Sequence, residues 1–234
     1  MPVATDNPSI FTRRIKPPPP RWKQPCANTE CSLHQLAPYI GKIKSSIAAD
    51  LVERYSRPGD LVVDPFAGAG TIPFEASIRG RRAFAADISP YASVLSRAKL
   101  SPPPSLEAAL ESAEQALWKA ARLPKSDLRT VPAWVRKFYH PDTLREILNF
   151  AAVCRRSHNE FLMACLLGIL HHQRPGFLSY PSSHLVPYLR DRKYCWVVLS
   201  GGCLVSSMLR SSVKVCSSCE VNFIPRRTVP SFRN

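Results

Sequence analysis

Hydrophobic positions recur along this chain with two different spacings, which predicts long helices and a few short strands. In residues 33–56, isoleucine and leucine recur at intervals of three and four, a spacing typical of one face of a helix. The sequence therefore predicts a first helix over residues 33–56 that ends at a Pro-Gly-Asp turn in residues 58–60. The predicted apolar stripe consists of Ile40, Ile43, Ile47 and Leu51.

Two short, wholly apolar runs follow that first helix, at residues 61–63 and 83–86. Runs of this kind are typical of strands that are buried on both faces of a parallel sheet. A glycine-rich turn after the first run leads into a predicted helix over residues 71–79, and a proline opens a second over residues 90–99. The alternation of strand and helix predicts an α/β fold with a doubly wound sheet.

The next part of the chain is predicted to be helical. A Ser-Pro-Pro-Pro linker at residues 101–104 precedes three predicted helices, over residues 105–121, 141–155 and 158–172. Because no third strand is evident there, we interpret the region as a helical insertion or lid. The predicted inner face of its first helix consists of Leu106, Leu110, Ala113 and Leu117.

The charge of the chain is strongly positive, with 32 Lys and Arg against 17 Asp and Glu and a net charge of +15. Such an excess favours a nucleic-acid partner first and an acidic membrane surface second, although a basic solvated surface without a partner is the alternative. No signal peptide is evident, and the longest apolar run, residues 161–170, is shorter than the roughly 20 residues that span a bilayer. We therefore expect no membrane association, a cytoplasmic location and reduced cysteines.

The turn at residues 64–71 has the composition of a ligand site. Gly68 and Gly70 allow close approach to the backbone and tolerate positive φ angles. The helix that follows presents free N–H groups to an anionic group. Asp64, at the end of the strand, suits a cationic group such as an ammonium.

A second acidic residue, Asp87, lies 23 positions beyond Asp64, at the end of the second predicted strand. A carboxylate at that point accepts both hydroxyls of a ribose in dinucleotide sites. Together the two strand ends predict a site for a nucleoside-bearing ligand. The alternative is a turn that only packs its helix on the sheet. The turn has neither the Gly-Lys-Ser/Thr of a phosphate-binding loop nor the third glycine of a dinucleotide site.

Residues 64–71, Asp-Pro-Phe-Ala-Gly-Ala-Gly-Thr followed by Glu-Ala, resemble the cofactor motif of the amino-methylating (N-4/N-6) DNA methyltransferases. Residues 86–92 resemble the family's ribose-binding element. Residues 33–42 resemble the helix that contacts the methionine end of the cofactor, and residues 174–190 resemble a segment of bacterial and archaeal members of the family. The resemblance implies a partial Rossmann-like, doubly wound methyltransferase core that binds S-adenosylmethionine. The implied cofactor-binding residues are Tyr39, Lys42, Asp64, Pro65, Phe66, Gly68, Gly70, Thr71, Asp87 and Ile88.

The same resemblance implies transfer of a methyl group to the exocyclic amine of adenine or cytosine in DNA, as in restriction–modification systems. An RNA methyltransferase is the second interpretation, and a non-catalytic nucleic-acid-binding module the third. The predicted organisation has four parts. They are an irregular, basic, proline-rich segment (1–30), the S-adenosylmethionine-binding core (31–100), the helical region (101–194) and an atypical tail (195–234).

The family's catalytic motif, Asp, Asn or Ser followed by Pro-Pro-Tyr, is not evident. Residues 101–104 lack the aromatic residue, residues 89–91 belong to the ribose-binding element, and residues 179–182 have the wrong order. The catalytic residues therefore stay unknown, and we expect weak or absent methyl transfer. The tail, residues 195–234, holds four cysteines, eight serines and one acid, and we hypothesise a frameshift near Cys195. Its single Cys-X-X-Cys has no matching pair, so we predict no metal site.

Overall fold

The computed structural model describes residues 19, 22, 30–136 and 139–172, and the backbone of residues 178–179 and 188–189. Short 3₁₀ helices occur at Ser32–Gln35 and Leu128–Thr130. The other elements, in chain order, are α1 (Ser45–Tyr55), β1 (Leu61–Asp64), α2 (Thr71–Ile78), β2 (Arg82–Ala85), α3 (Pro90–Leu100), α4 (Leu106–Ala121), α5 (Ala133–Arg136), α6 (Pro141–Arg156), α7 (Glu160–His172), β3 (Leu178–Ser179) and β4 (Tyr188–Leu189).

The predicted strand–helix–strand unit forms a small parallel sheet. β1 pairs with β2 in parallel, with Leu61 opposite Arg82 and Asp64 opposite Ala85. α2 connects the two strands and contacts both of them, and α1 packs against α2. β3 and β4 form a separate two-residue antiparallel pair that the sequence did not predict. The predicted α/β class is therefore confirmed as a helix-rich fold, whereas the doubly wound, Rossmann-like arrangement stays a prediction.

The prediction that both strands are buried on both faces is wrong. Leu61, Val63 and Phe84 are 53%, 55% and 57% exposed, and they alternate with half-buried residues. The half-buried face is the one against which α2 packs, and the opposite face is open in the described part of the chain. We call the three exposed side chains, Leu61, Val63 and Phe84, the open sheet face.

The predicted helix over residues 33–56 is wrong as a single element. The chain forms a 3₁₀ helix at Ser32–Gln35, and α1 begins only at Ser45. Pro38 lacks the N–H that a continuous helix needs, and Gly41 has a φ of +79°, outside the helical region. These two residues separate the two helical segments.

The break also changes which side chains are buried. Ile40 is 75% exposed because it lies between the helical segments, so the predicted apolar stripe is wrong. α1 instead buries Ala48 and Val52 together with the carboxylate of Asp50. The indole N–H of Trp22 donates a hydrogen bond to this carboxylate at 3.1 Å, which offsets part of the cost of burying it.

The helices after the linker confirm the predicted helical region. α3 packs on α7, α4 on α6, and α6 on α7. The predicted inner face of α4 is wrong except at Ala113, because Leu106, Leu110 and Leu117 are only half-buried. The buried face of α4 is a row of alanines, which lets α6 approach closely: Ala109, Ala113, Ala116 and Ala120.

Several sequence predictions lie outside the described residues. They concern most of the segment 1–30, most of the resemblance at residues 174–190, and the whole tail 195–234. Among the helices that the structure describes, none combines the length and apolar character needed to cross a membrane. Within residues 30–136 and 139–172, no three His, Cys, Asp or Glu side chains converge as metal ligands would.

Candidate cofactor-binding site

The turn between β1 and α2 lies against the carboxyl end of β2. The backbone N–H of Ala67 donates to the carbonyl oxygen of Ala86 at 2.9 Å, and that of Gly70 donates to Ala67 at 2.7 Å. Gly68 and Gly70 have φ angles of +50° and +72°, in the left-handed region. Gly70 is the N-cap residue of α2. The turn is therefore fixed between the two strand ends, as the sequence predicted.

The two glycines are required by packing within the protein. A Cβ atom on Gly70 would lie 2.8 Å from the Cα of Ser96 on α3, and one on Gly68 would lie 3.0 Å from Cε1 of Tyr39. The Ser96 hydroxyl also donates to the carbonyl oxygen of Gly68 at 3.0 Å. Sequence reasoning attributed these glycines to the approach of a ligand and missed Ser96, because its contact with the turn depends on how α3 packs.

Asp87 connects the end of β2 with the glycine turn. Its Oδ2 accepts a hydrogen bond from the Gly68 N–H at 2.8 Å, and its Oδ1 accepts one from the Ser89 N–H at 2.8 Å. The bonds from Ser89 and then Gly68 lower the pKa of Asp87, so the carboxylate stays ionised. Since a carboxylate has about four acceptor positions, about two remain for a ligand at this half-exposed residue.

Other predicted site residues border the same turn on its open side. Oδ1 of Asp64 accepts a hydrogen bond from the Phe66 N–H at 3.1 Å. Phe66 and Ile88 are 87% and 101% exposed, and Pro65 is exposed as well. Apolar side chains exposed next to two carboxylates provide the mixed surface that a nucleoside with charged groups requires.

Tyr39 is positioned over the turn by a second tyrosine. Its ring lies next to Gly68, where it leaves no room for a side chain. The same ring stacks on the ring of Tyr91, with centroids 6.0 Å apart and an interplanar angle of 14°. The Tyr91 hydroxyl donates to the carbonyl oxygen of Pro38 at 2.6 Å. Tyr91 thus holds the segment after the first 3₁₀ helix against the turn, a role that the sequence pattern did not reveal.

Two predicted site residues, Lys42 and Thr71, are not exposed at the surface of the turn. The ammonium of Lys42 donates to the carbonyl oxygen of His34 at 2.7 Å and lies 3.9 Å from a carboxylate oxygen of Glu30. Thr71 is 2% exposed, and its hydroxyl has no hydrogen-bond partner among the described residues. Their contact with a cofactor stays a prediction.

Buried titratable side chains lie close together on α3, α2 and the first 3₁₀ helix. Lys99, one helical turn beyond Ser96 on α3, is 2% exposed, and its ammonium has no hydrogen-bond partner in the described part of the chain. Burial first, and then the charge of Lys42, lower the pKa of Lys99 to about 7, against an opposing effect of Glu30. Nearby, His34 and Glu75 are 2.6 Å apart, both buried.

A cleft of about 440 Å³ lies between α4 and α6, away from the turn. Part of its polar lining is occupied by internal contacts: Arg145 pairs with Asp142 at 2.9 Å, and the Asn149 amide donates to the carbonyl oxygen of Ala120 at 3.2 Å. Burial and the neighbouring Asp142 raise the pKa of Glu146. None of the residues predicted to bind a cofactor lines this cleft, so the turn at Asp64 and Asp87 is the stronger candidate site.

Comparison with known proteins found matches to methyltransferases. Residues 35–124 match the UPF0020 family model, described as the RMKL-like methyltransferase domain. The chain is 31% identical over 68 residues to the type II methyltransferase M.MjaII of Methanocaldococcus jannaschii. These 68 residues are 29% of this chain and 13% of that protein. No solved structure matches the chain. Both comparisons support a methyltransferase domain in this chain, and the family model matches it to residues 35–124.

Proposed function

We propose that the chain binds S-adenosylmethionine at the turn between β1 and α2 and transfers its methyl group to the exocyclic amine of adenine or cytosine in DNA. The observation that carries this proposal is the Asp87 carboxylate, which accepts the Gly68 N–H and thereby joins the two strand ends into one site. The methyltransferase match over residues 35–124 includes this site.

The exposed groups at the turn fit the chemistry of this cofactor. In the proposed complex, the remaining acceptor positions of Asp87 bind the ribose hydroxyls, and Ile88 lies against the adenine. Asp64 offers a negative charge to the ammonium of the methionine end, with Pro65 and Phe66 beside it. When bound, the cofactor supplies a methyl group on a positively charged sulfur.

The protein's own contribution at this site is electrostatic and positional. Because the pKa of Asp87 is lowered by two backbone N–H groups, its negative charge persists well below neutral pH. Ser96 and Tyr39 both pack against the glycine turn. A site that is fixed before the ligand arrives loses less entropy on binding, which favours affinity.

No residue is assigned a role in binding the substrate or in catalysis. Residues 101–104 lie between α3 and α4, which agrees with their interpretation as a linker. The chain spans about 13% of the relative's length, so the activity and substrate of a whole enzyme belong to the proposal.

RNA is the second candidate substrate. The matching family model is described as an RMKL-like methyltransferase domain, and this description does not name DNA. The net charge of +15 suits either nucleic acid equally well. A module that binds nucleic acid without transferring a methyl group is the third interpretation.

Calorimetry with S-adenosylmethionine tests the cofactor half of the proposal. The wild-type chain should bind one equivalent, and Asp87→Asn should weaken binding roughly 10- to 100-fold, since a hydrogen bond to a charged group is worth about 1.5–3 kcal/mol. Asp127→Asn is the matched control, because Asp127 accepts the N–H two residues ahead, at 2.9 Å, in the same way as Asp87. Absence of binding by the wild-type chain would refute the proposal.

A labelled-methyl assay on duplex DNA and on RNA then separates the three interpretations. Methyl transfer to DNA supports the first, and transfer to RNA alone selects the second. A chain that binds both cofactor and nucleic acid but transfers no methyl group to either substrate is the non-catalytic module.

A further inference from the structure

The exposed side chains of residues 118–136, from the last turn of α4 to the end of α5, form what we call the basic–aromatic surface. Its two tryptophans, Trp118 and Trp134, are 57% and 61% exposed. It contains five exposed basic residues against one acid, a net charge of +4. The basic residues are Lys119, Arg122, Lys125, Arg129 and Arg136.

The surface carries more positive charge than the dipole of helix α4 accounts for. The preceding residues 101–117 contain three acids and no base, so the helix has acids near its beginning and bases near its end, which the helix dipole favours. That effect explains Lys119 and Arg122. It does not explain Lys125 and Arg129, which lie beyond α4 and before α5.

Trp118 and Arg122 form a planar, charged pair on the surface. The guanidinium carbon of Arg122 lies 3.4 Å from the ring centroid of Trp118, and the guanidinium also donates to the Trp118 carbonyl oxygen at 3.1 Å. An aromatic ring next to a fixed positive charge is the arrangement on which unpaired bases stack while phosphates find a cation.

Most of the positive charge in the surface is not neutralised internally. Its acid, Asp127, pairs with Arg129 at 2.9 Å and is also close enough to Arg136 for that charge to lower its pKa. Lys119 and Lys125 form no ion pair with the residues that the structure describes. The excess charge therefore remains available to an anionic partner.

The surface is also held rigidly by the neighbouring helix α6. The Ser126 hydroxyl donates to the Asn149 amide oxygen at 2.6 Å. The Asn149 amide nitrogen donates to the carbonyl oxygens of Ala120 and Leu123, at 3.2 and 3.5 Å. These bonds fix residues 120–126, where the chain leaves α4, so this part of the surface is formed before any partner binds.

We infer that the basic–aromatic surface binds an unpaired stretch of nucleic acid, with Trp118 and Trp134 stacking on bases and the lysines and arginines contacting phosphates. This inference extends the proposed function, since it names the surface that engages the substrate. Exposed tryptophans would suit an apolar protein partner as well, but the five surrounding cations favour a polyanion with planar groups.

Fluorescence anisotropy with labelled oligonucleotides of roughly twelve thymidines or twelve uridines, within the usual range of site sizes, tests the inference on the full chain. Trp118→Ala and Trp134→Ala should each weaken binding roughly 5- to 150-fold, because stacking on one base is worth that factor. Trp118→Phe should restore most of the affinity. The two oligonucleotides distinguish a DNA substrate from an RNA substrate.

Salt dependence tests the phosphate contacts separately. Replacing Arg122, Lys125 and Arg129 with alanine should reduce the slope of log affinity against log salt by about 2, since each single-strand phosphate contact contributes about 0.7. Arg155→Ala with Arg156→Ala is the control, because both are exposed arginines on α6 outside this surface. Their replacement should leave the slope of log affinity against log salt unchanged.

The outcomes distinguish this inference from the proposed function. Unchanged oligonucleotide binding by the tryptophan variants, or tight binding of polyglutamate that is insensitive to them, overturns the nucleic-acid surface. If the wild-type chain binds S-adenosylmethionine but neither oligonucleotide at low salt, this inference fails and the cofactor site stands. If the chain binds oligonucleotides through Trp118 but not S-adenosylmethionine, the surface stands and the methyltransferase function fails.

Discussion

Burial of Lys99 on α3 makes the stability of the protein depend on pH. The pKa falls from its ordinary value of 10.5 to about 7 in the folded state. Each pKa unit corresponds to about 1.36 kcal/mol, so keeping Lys99 charged in the folded state costs up to about 5 kcal/mol. Below pH 7 the side chain is charged in both states, and the folded protein bears this whole cost.

The direction of the pH effect follows from proton binding. Between pH 7 and 10.5 the folded state is neutral at Lys99 while the unfolded state is still protonated. The unfolded state binds more protons there, so the free energy of unfolding rises with pH, by up to about 1.4 kcal/mol per unit. Above pH 10.5 both states are neutral and the cost disappears.

Lys99→Met removes this titration while preserving most of the side-chain volume. We expect the variant to be more stable than the wild-type protein at pH 6.5, by a few kcal/mol, and the two to converge toward pH 10. Urea unfolding followed by circular dichroism at several pH values measures the difference, in which the titrating groups that do not interact with Lys99 cancel. Lys119→Met, at an exposed position on α4, is the matched control and should show no such trend.

The result that refutes this reasoning is specific. If Lys99→Met changes the free energy of unfolding equally at pH 6.5 and pH 9.5, the ammonium is not buried as described. If the variant is less stable at every pH, Lys99 has a favourable ionic partner in the folded protein.

Other predictions test the packing around the turn and the sheet. Gly70→Ala should destabilise the protein by about 2–5 kcal/mol in urea unfolding, from left-handed strain of about 1–2 kcal/mol plus overpacking against Ser96. Gly59→Ala should show the strain alone, because its Cβ would meet nothing within 4 Å at a φ of +93°. Phe84→Glu, on the open sheet face, should change stability by less than about 1 kcal/mol and reduce binding of the dye ANS to exposed apolar surface. Phe74→Glu at a 2% exposed position should instead unfold the protein, as circular dichroism would show.

Local sequence was sufficient to predict the elements that position the candidate site. The turn, its flanking strands and Asp87 are close in the chain, and residue types such as glycine and proline determine where each element begins and ends. For the same reason, α2, α3, α4, α6 and α7 lie close to their predicted ranges. The break before α1 is hidden by the apolar spacing across it, although Pro38 and Gly41 are residue types that interrupt a helix.

Features that depend on how distant elements pack could not be predicted from the sequence. Exposed and half-buried residues alternate in β1 and β2 because helices cover only one face of the sheet. The residues of the strands themselves do not indicate that the other face is open. The burial of Lys99 and the contact of Ser96 with Gly70 depend on the close packing of α3 against the turn. The alanine row of α4 was overlooked because leucines carry the stronger hydrophobic signal.

Amide NMR during a titration with S-adenosylmethionine tests the location of the proposed cofactor site most directly. The backbone N–H groups of Gly68 and Ser89 both donate to Asp87, so their resonances should shift and saturate together at one equivalent of cofactor. The N–H of Arg129, which donates to Asp127 in a similar turn, should not shift. Saturable binding that leaves Gly68 and Ser89 unchanged, or no binding at all, would contradict a cofactor site at this turn.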